Sequence, residues 1–440
     1  MIRTKTEEPL AQKMWALGLL VVLVAAGLTL AAGPAHAETF TVDSTIDPGN
    51  GTCSVTAGCT LREAITAAND APGRDSIAFN IPGAGVKTIT PIFELPKITE
   101  AVTIDGYTQP GSRPNSRASG AIDAVVLIEL DGFTLESGQE GLIIDASNVV
   151  VRGLAINRFL AHGINVVGGA GTRIEGNFLG TDASGTLDRG NSASGVNIEF
   201  GSRQATVGGT EPEARNLISG NNGFGVEIDG VGGNKVQGNL IGTQKNGTTI
   251  IGGAQAGVFT ESPKNTIGGA EPEAGNVIAF NSGGGVEVAD SSASFSVTGN
   301  RVLSNSIFAN GALGIDLNTN GRTANDPRDL DAGPNNLQNF PVLTSAVFDG
   351  TTIVKGTLES TPSTRKKKRA FTVQLFANPS ADRDEGKTFL GQKRVTTNRR
   401  GKASFTFVTD RVVTGMITAT ATGPGGNTSE FSDPLGVSSI

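Results

Sequence analysis

From Gly163 to Asn318, apolar and polar residues alternate in runs of three to five, and the runs recur. One phrase returns six times: Gly163-Ile-Asn-Val, Gly195-Val-Asn-Ile, Gly225-Val-Glu-Ile, Gly257-Val-Phe-Thr, Gly285-Val-Glu-Val and Gly314-Ile-Asp-Leu. The copies start 32, 30, 32, 28 and 29 residues apart. Alternation at period two marks strands, and Gly, Asn, Ser and Thr punctuate them. A fixed period of this length means stacked units, each unable to bury its apolar face alone. Short strands joined by tight turns at coil length predict an all-β solenoid, a parallel β-helix. A leucine-rich horseshoe would need a Leu skeleton, and a propeller would need longer blades.

A second phrase lies between the copies, as in Glu175-Gly-Asn-Phe-Leu-Gly and Gln237-Gly-Asn-Leu-Ile-Gly. It places Asn177, Asn216, Asn239, Asn276 and Asn300 in one context, which predicts a single turn ladder of stacked amides. Residues 208–220 match 268–280, so loop decoration alternates every two coils. Further strands are expected at Ser76, Lys87, Ala101, Ala124, Gly141 and Asn148. Residues 107–121, long, polar and rich in Pro and Gly, read as an insertion in preference to a lip over the solenoid.

Upstream, Arg3, Lys5 and Lys13 precede an apolar run from Trp15 to Gly33, and Ala35-His36-Ala37 follows. This order predicts an export signal over residues 1–37, the alternative being an uncleaved anchor. In an exported chain the two cysteines, Cys53 and Cys59, favour a disulfide. Thr60 and Glu63 form a capping box, and Leu61, Ala64, Ile65 and Ala68 follow at helical spacing. A solenoid must cover its first coil, and this helix suits that role. The cap region spans 38–85 and the coils 86–340.

Past Pro341 the repeat stops. Alternating strands over 351–358, 371–376, 388–395, 403–408 and 416–422 predict a small immunoglobulin-like β-sandwich over 341–440. This part holds 14 Lys+Arg against 8 Asp+Glu, net +6; the whole chain is −7, so the first 340 residues carry −13. Arg365, Lys366, Lys367, Lys368 and Arg369 fall between two strands, either as an anionic-polymer contact or as a solvated loop.

Cys59-Thr-Leu-Arg-Glu-Ala-Ile-Thr-Ala-Ala-Asn69 resembles the Cys-Ser-Leu-Arg-Glu-Ala (CSLREA) motif that opens a family of bacterial exported right-handed β-helix proteins. Thr60 replaces the usual Ser and keeps the capping role. Residues 314–317 and 329–341 resemble that family's helix exit. The resemblance implies the fold and a secreted or cell-surface location, and no agreed catalytic activity.

Chemistry is sparse. The chain has 61 Gly, two His and one Tyr. One His in the exported part and a bridged Cys pair argue against zinc, and no phosphate loop or nucleotide fingerprint occurs. Ala161-His162-Gly163 and Arg173-Ile174 are similar to fragments of polygalacturonases, but the paired aspartates expected upstream are missing. Asp316, Asp326, Asp329 and Asp331, with Asn nearby, offer hard oxygen ligands for Ca²⁺, the single cofactor considered; a solvated acidic turn is the alternative. The reading is an exported, non-catalytic structural or adhesive module that binds polysaccharide or a cell-surface polymer. It is expected to be monomeric, with no nucleic-acid partner and no membrane span after signal cleavage. The alternative is a polysaccharide lyase or glycoside hydrolase of the pectin-lyase-like type.

Overall fold

Inward side chains of successive coils stand on one another. In the computed structural model, which describes residues 36–54, 56, 58–290, 296–379 and 384–439, Ile104, Val151, Ile174, Val207, Val236, Ile267 and Val302 stack in register. All are buried. Each such side chain contributes roughly 1.5–3 kcal/mol on leaving water.

The stacking builds three parallel sheets, which the chain visits in rotation. The first has nine strands, from Thr39–Val42 to Arg301–Leu303. The second has eight, from Lys87–Ile89 to Ser306–Phe308. The third carries the six repeat phrases, from Ile164–Ala170 to Ile315–Leu317. The solenoid is therefore a parallel β-helix, as the alternation predicts. The export signal read over 1–37 lies outside the described residues except for its last two. Among the described residues, no helix is long and apolar enough to cross a membrane.

Amide ladders hold the corners. Asn177 N donates to Asn216 Oδ1 at 2.8 Å, and Nδ2 atoms of Asn216, Asn239 and Asn276 donate onward to Asn239, Asn276 and Asn305 at 2.9, 2.9 and 2.8 Å. The fifth member is Asn305, not the expected Asn300. Asn300 belongs to a second ladder, Asn234–Asn265–Asn300–Asn335, with N to Oδ1 distances of 3.0, 2.9 and 2.9 Å. The reason is topological: Asn276 precedes a second-sheet strand and Asn300 a first-sheet strand. One local phrase serves two corners.

The helix Leu61–Asp70 closes the first coil. Thr60 accepts from Glu63 N, and Glu63 reaches back to Thr60 N at 2.8 Å. Glu63 also accepts from Gly51 and Thr52, so the cap pins the loop that the Cys53–Cys59 disulfide closes. Leu61, Ala64, Ile65 and Ala68 are buried in the same apolar core as Val42 and Ile77.

At the other end two four-stranded sheets form a sandwich. Their order is Lys402–Thr409, Thr351–Glu359, Val342–Asp349, Ser438–Ser439 and Thr388–Thr396, Ala370–Asn378, Met416–Thr422, Leu435–Gly436. Its core joins Val354, Phe405 and Phe407 of one sheet to Val373, Leu375 and Ile417 of the other. Phe376 and Phe431 instead join the apolar core of the solenoid.

Residues 107–121 are a lip, correcting the insertion reading. Tyr107 Oη donates to Gly176 O at 2.6 Å, and Asn115 Nδ2 to Pro212 O at 2.7 Å. Arg215 donates to the carbonyls of Arg117 and Gly120 at 3.1 and 3.0 Å, and Ile122 N to Lys245 O at 2.7 Å. Ile122, Ala124 and Val126 then pack on Phe178, Leu217 and Leu240, apolar residues on the outside of the second sheet.

Candidate functional site

In each repeat phrase the second and fourth residues point inward, so the third points out. The third residues are Asn165, Asn197, Glu227, Phe259, Glu287 and Asp316, and they are paired in register across the third sheet. They form one outward file at the strand spacing of about 4.8 Å. Two positions on, Glu199, Asp229 and Glu261 continue the ladder through N–H bonds to Val166, Ile198 and Ile228 at 2.9, 2.9 and 3.1 Å. They make a second, all-carboxylate file.

A network fixes these side chains. Asn165 Nδ2 donates to Glu199 Oε1 at 2.8 Å and to Glu140 Oε1 at 3.2 Å. Asn197 Nδ2 donates to Asn165 Oδ1 at 3.2 Å. Ser194 Oγ donates to Glu227 Oε2 at 2.6 Å and accepts from Phe224 N at 3.1 Å. The rings of Phe224 and Phe259 stack 4.4 Å apart at 10°. Asn197 Oδ1 and Asp229 Oδ1 are buried without a hydrogen-bond partner among the described residues.

Electrostatics follow from crowding. Burial, reinforced by Glu227, Glu261 and Glu199, pushes the Asp229 carboxyl up to about 6. Burial raises Glu287, with Asp316 adding to the effect. Glu140 is also raised by burial, against the pull of the neighbouring His162. The face presents acceptors, a carboxyl whose pKa is raised to about 6, amides of both senses, and one aromatic platform.

The expected site residues are distributed as follows. His162 lies at the edge of this face, where its Nδ1 accepts Ser194 N at 3.1 Å. Arg173 lies on the first sheet, paired with Glu175 at 2.6 Å. The polygalacturonase-like fragments are thus on different sheets and form no common centre. Asp326, Asp329 and Asp331 come together, with one ligand oxygen from each within 4.8 Å of the others. Asp316 leaves that set: it stands in the third-sheet file and accepts Gly321 N at 3.1 Å. Asp329 accepts Asn339 N at 2.7 Å and Ser360 Oγ at 2.6 Å, and burial raises its pKa. Burial, then Asp326 and Asp329, push Asp331 up to about 6. Arg365, Lys366, Lys367 and Lys368 are exposed and Arg369 half-buried; none of the five forms an ion pair among the described residues.

Sequence reasoning missed the file itself, although the third letters of the six phrases, Asn, Asn, Glu, Phe, Glu and Asp, carry the signal. The stacked pair Phe224 and Phe259 was missed with it.

No protein-family model matches the chain, and no curated protein matches it. Among solved structures it is similar to tailspike protein 2 of the Escherichia coli bacteriophage CAB120, at 11% identity and a TM-score of 0.19, over 82% of this chain and 62% of that one. It is also similar to tailspike protein gp49 of the Acinetobacter baumannii bacteriophage Fri1, a capsular polysaccharide depolymerase, at 9% identity and a TM-score of 0.15, over 81% and 77%.

Proposed function

We propose that this chain is a secreted or cell-surface module that binds an extended, hydroxyl-rich polymer along the outer face of the third sheet. The observation that carries the reading is the outward file from Asn165 to Asp316, continuous over six coils. Carboxylates and amides exchange hydrogen bonds with sugar hydroxyls, and the Phe224–Phe259 pair offers an apolar face to the C–H side of a ring. Repetition at coil spacing multiplies weak contacts along one polymer. Six carboxylates on the face (Glu199, Glu227, Asp229, Glu261, Glu287 and Asp316) repel anionic chains, which makes the ligand a neutral polysaccharide. The Arg365–Arg369 tract, on the sandwich, is assigned to anionic polymer, and Asp326, Asp329 and Asp331 to Ca²⁺.

The test is a neutral-polysaccharide array probed with the chain, the Phe259→Ala variant and the Glu227→Gln variant. Both variants are expected to lose binding by about tenfold, the weight of one platform or one charged hydrogen bond. Undiminished binding in both would remove the third-sheet face from the reading.

Asp229 favours a second reading, glycoside hydrolysis. A carboxyl with a raised pKa, Asp229, beside the second carboxyl groups of Glu227 and Glu199 has the required parts: one donates a proton to the leaving oxygen, the other takes a proton from the attacking water. A reducing-end assay on each bound polysaccharide separates the two. Turnover that disappears in Asp229→Asn, with binding kept, selects the hydrolase; binding without turnover selects the adhesive module.

A further inference from the structure

We infer that the cleft beneath the lip is a second carbohydrate site, shaped for a neutral sugar unit of one or two rings. It lies on the outside of the first sheet and does not depend on the third-sheet face. Its floor is a column in register, Asp105, Arg152 and Glu175, contributed by three adjacent coils. Pro114 and Asn115 of the lip face Pro212 and Glu213 across it, and the volume of this open cleft is about 540 Å³. That lies within the range of small-molecule sites and holds about two pyranose rings.

The walls are built rather than draped. Asn115 is 3% exposed. Its Nδ2 donates to Pro212 O at 2.7 Å and Arg117 O at 2.8 Å, and its Oδ1 accepts Asp123 N at 3.0 Å and Arg117 N at 3.3 Å. Tyr107 is held by its bond to Gly176 O and by Gly153, where φ is +74° and an added β-carbon would lie 2.8 Å from the ring. A glycine is needed there for both the backbone and the space.

Two polar groups in this frame keep hydrogen-bonding capacity open to the cleft. Arg152 Nη2 donates to Asp105 Oδ2 at 2.6 Å, and its guanidinium, on a side chain 42% exposed, keeps further N–H donors at the cleft floor. Glu213 is exposed at the rim, and no side-chain bond to it occurs among the described residues. The cleft therefore offers a donor at its floor and an acceptor at its rim, between the apolar surfaces of Tyr107, Pro114 and Pro212. A pyranose matches this set: an oxygen acceptor for Arg152, hydroxyl donors for Glu213, and C–H faces for the walls. Asp105 and Glu175 are already paired with Arg152 and Arg173, which leaves Glu213 to set the local charge and to exclude uronic acids.

Tyr107 is the one tyrosine of the chain, so it reports on this cleft alone. The full chain labelled with 3-fluorotyrosine is titrated with maltose, cellobiose and diacetylchitobiose, and in separate arms with glucosamine and digalacturonate, while the fluorine resonance is followed by NMR. At least one neutral disaccharide is expected to shift the resonance to saturation at millimolar concentration. Glu213→Gln, an exposed change that leaves the fold alone, is expected to weaken that affinity about tenfold. No saturable shift with any of the three, a response to glucosamine or digalacturonate alone, or equal affinity in Glu213→Gln would each overturn the proposal.

Discussion

The carboxylate of Glu430, on the sandwich, accepts the backbone amide of Leu317, the last residue of the last third-sheet strand, at 3.1 Å. Its other oxygen accepts Thr323 N at 2.9 Å. Neighbouring contacts repeat the device. Glu385 accepts Ala309 N at 2.7 Å and Asn310 N at 2.9 Å, Gln374 accepts Ser304 N at 2.9 Å, and Thr428 accepts Val302 N at 3.0 Å. A solenoid ends in unpaired backbone groups that would otherwise template another chain. The sandwich supplies side-chain acceptors to those groups. It is the C-terminal counterpart of the helix Leu61–Asp70, and the coils are closed at both ends.

Glu430→Ala leaves two amides without acceptors in a site where Glu430 is 2% exposed. The expected loss is about 2–4 kcal/mol, read as a lower urea midpoint. Glu430→Gln keeps one acceptor oxygen and is expected to lose less. Equal losses in the two variants would mean that the amides are not what Glu430 serves.

Stability is expected to fall as pH rises from about 4.5 to 7. Burial raises Glu430 to about 7, and Asp229 and Asp331 to about 6. Each has a folded pKa above the ordinary carboxyl value near 4, so in this window the folded state binds more protons than the unfolded chain. Below the window the order reverses, because Glu63, Asp123 and Asp182 are held low by hydrogen bonds and lose their contribution when protonated. The melting temperature should therefore peak near pH 4.5. Glu430→Gln should flatten the slope between pH 6 and 7; an unaltered slope there would assign it to other groups.

Ile65→Asp places a charge against the apolar first coil, where Ile65 is 1% exposed, and is expected to cost several kcal/mol. Thr66→Asp, one position on and exposed, is the control and is expected to change the unfolding midpoint little. A lid that is merely attached would tolerate both.

The coils and the helix are legible in the sequence because their determinants are local. Alternation of period two, the Gly-Asn turns and the Thr60–Glu63 box each lie within a few residues of the structure they specify. The third-sheet file is legible once the phrases are aligned, since the third position is polar or aromatic in all six. The lip is not: Tyr107, Asn115 and Arg117 bond to partners 69, 97 and 98 positions away. Nor is the strand Val342–Asp349, in which all residues but Ala346 are partly or fully exposed, so no clean alternation marks it. Asn300 shows a third limit: its phrase matches that of Asn276, and only the coil count separates the two corners.

The last expectation concerns Ca²⁺ at the junction of solenoid and sandwich. Asp326, Asp329 and Asp331 converge, and two of their oxygens, Asp326 Oδ1 and Asp331 Oδ1, are buried without a hydrogen-bond partner. Desolvation and mutual repulsion oppose ionisation there, which is why Asp331 keeps its proton to about 6. A divalent cation reverses that balance, because it replaces the missing partners and neutralises the charge. Binding to the folded state alone stabilises it by RT ln(1 + [L]/Kd), about 2.7 kcal/mol at a hundredfold excess over Kd. Millimolar Ca²⁺ is therefore expected to raise the melting temperature at pH 8 and to do so less at pH 5, where protons compete for the same oxygens. Asp326→Asn with Asp331→Asn should abolish the rise while leaving Asp329 in place to accept Asn339 N. Superimposable melting curves in Ca²⁺ and in chelator at pH 8 would identify the three aspartates as a solvated acidic turn.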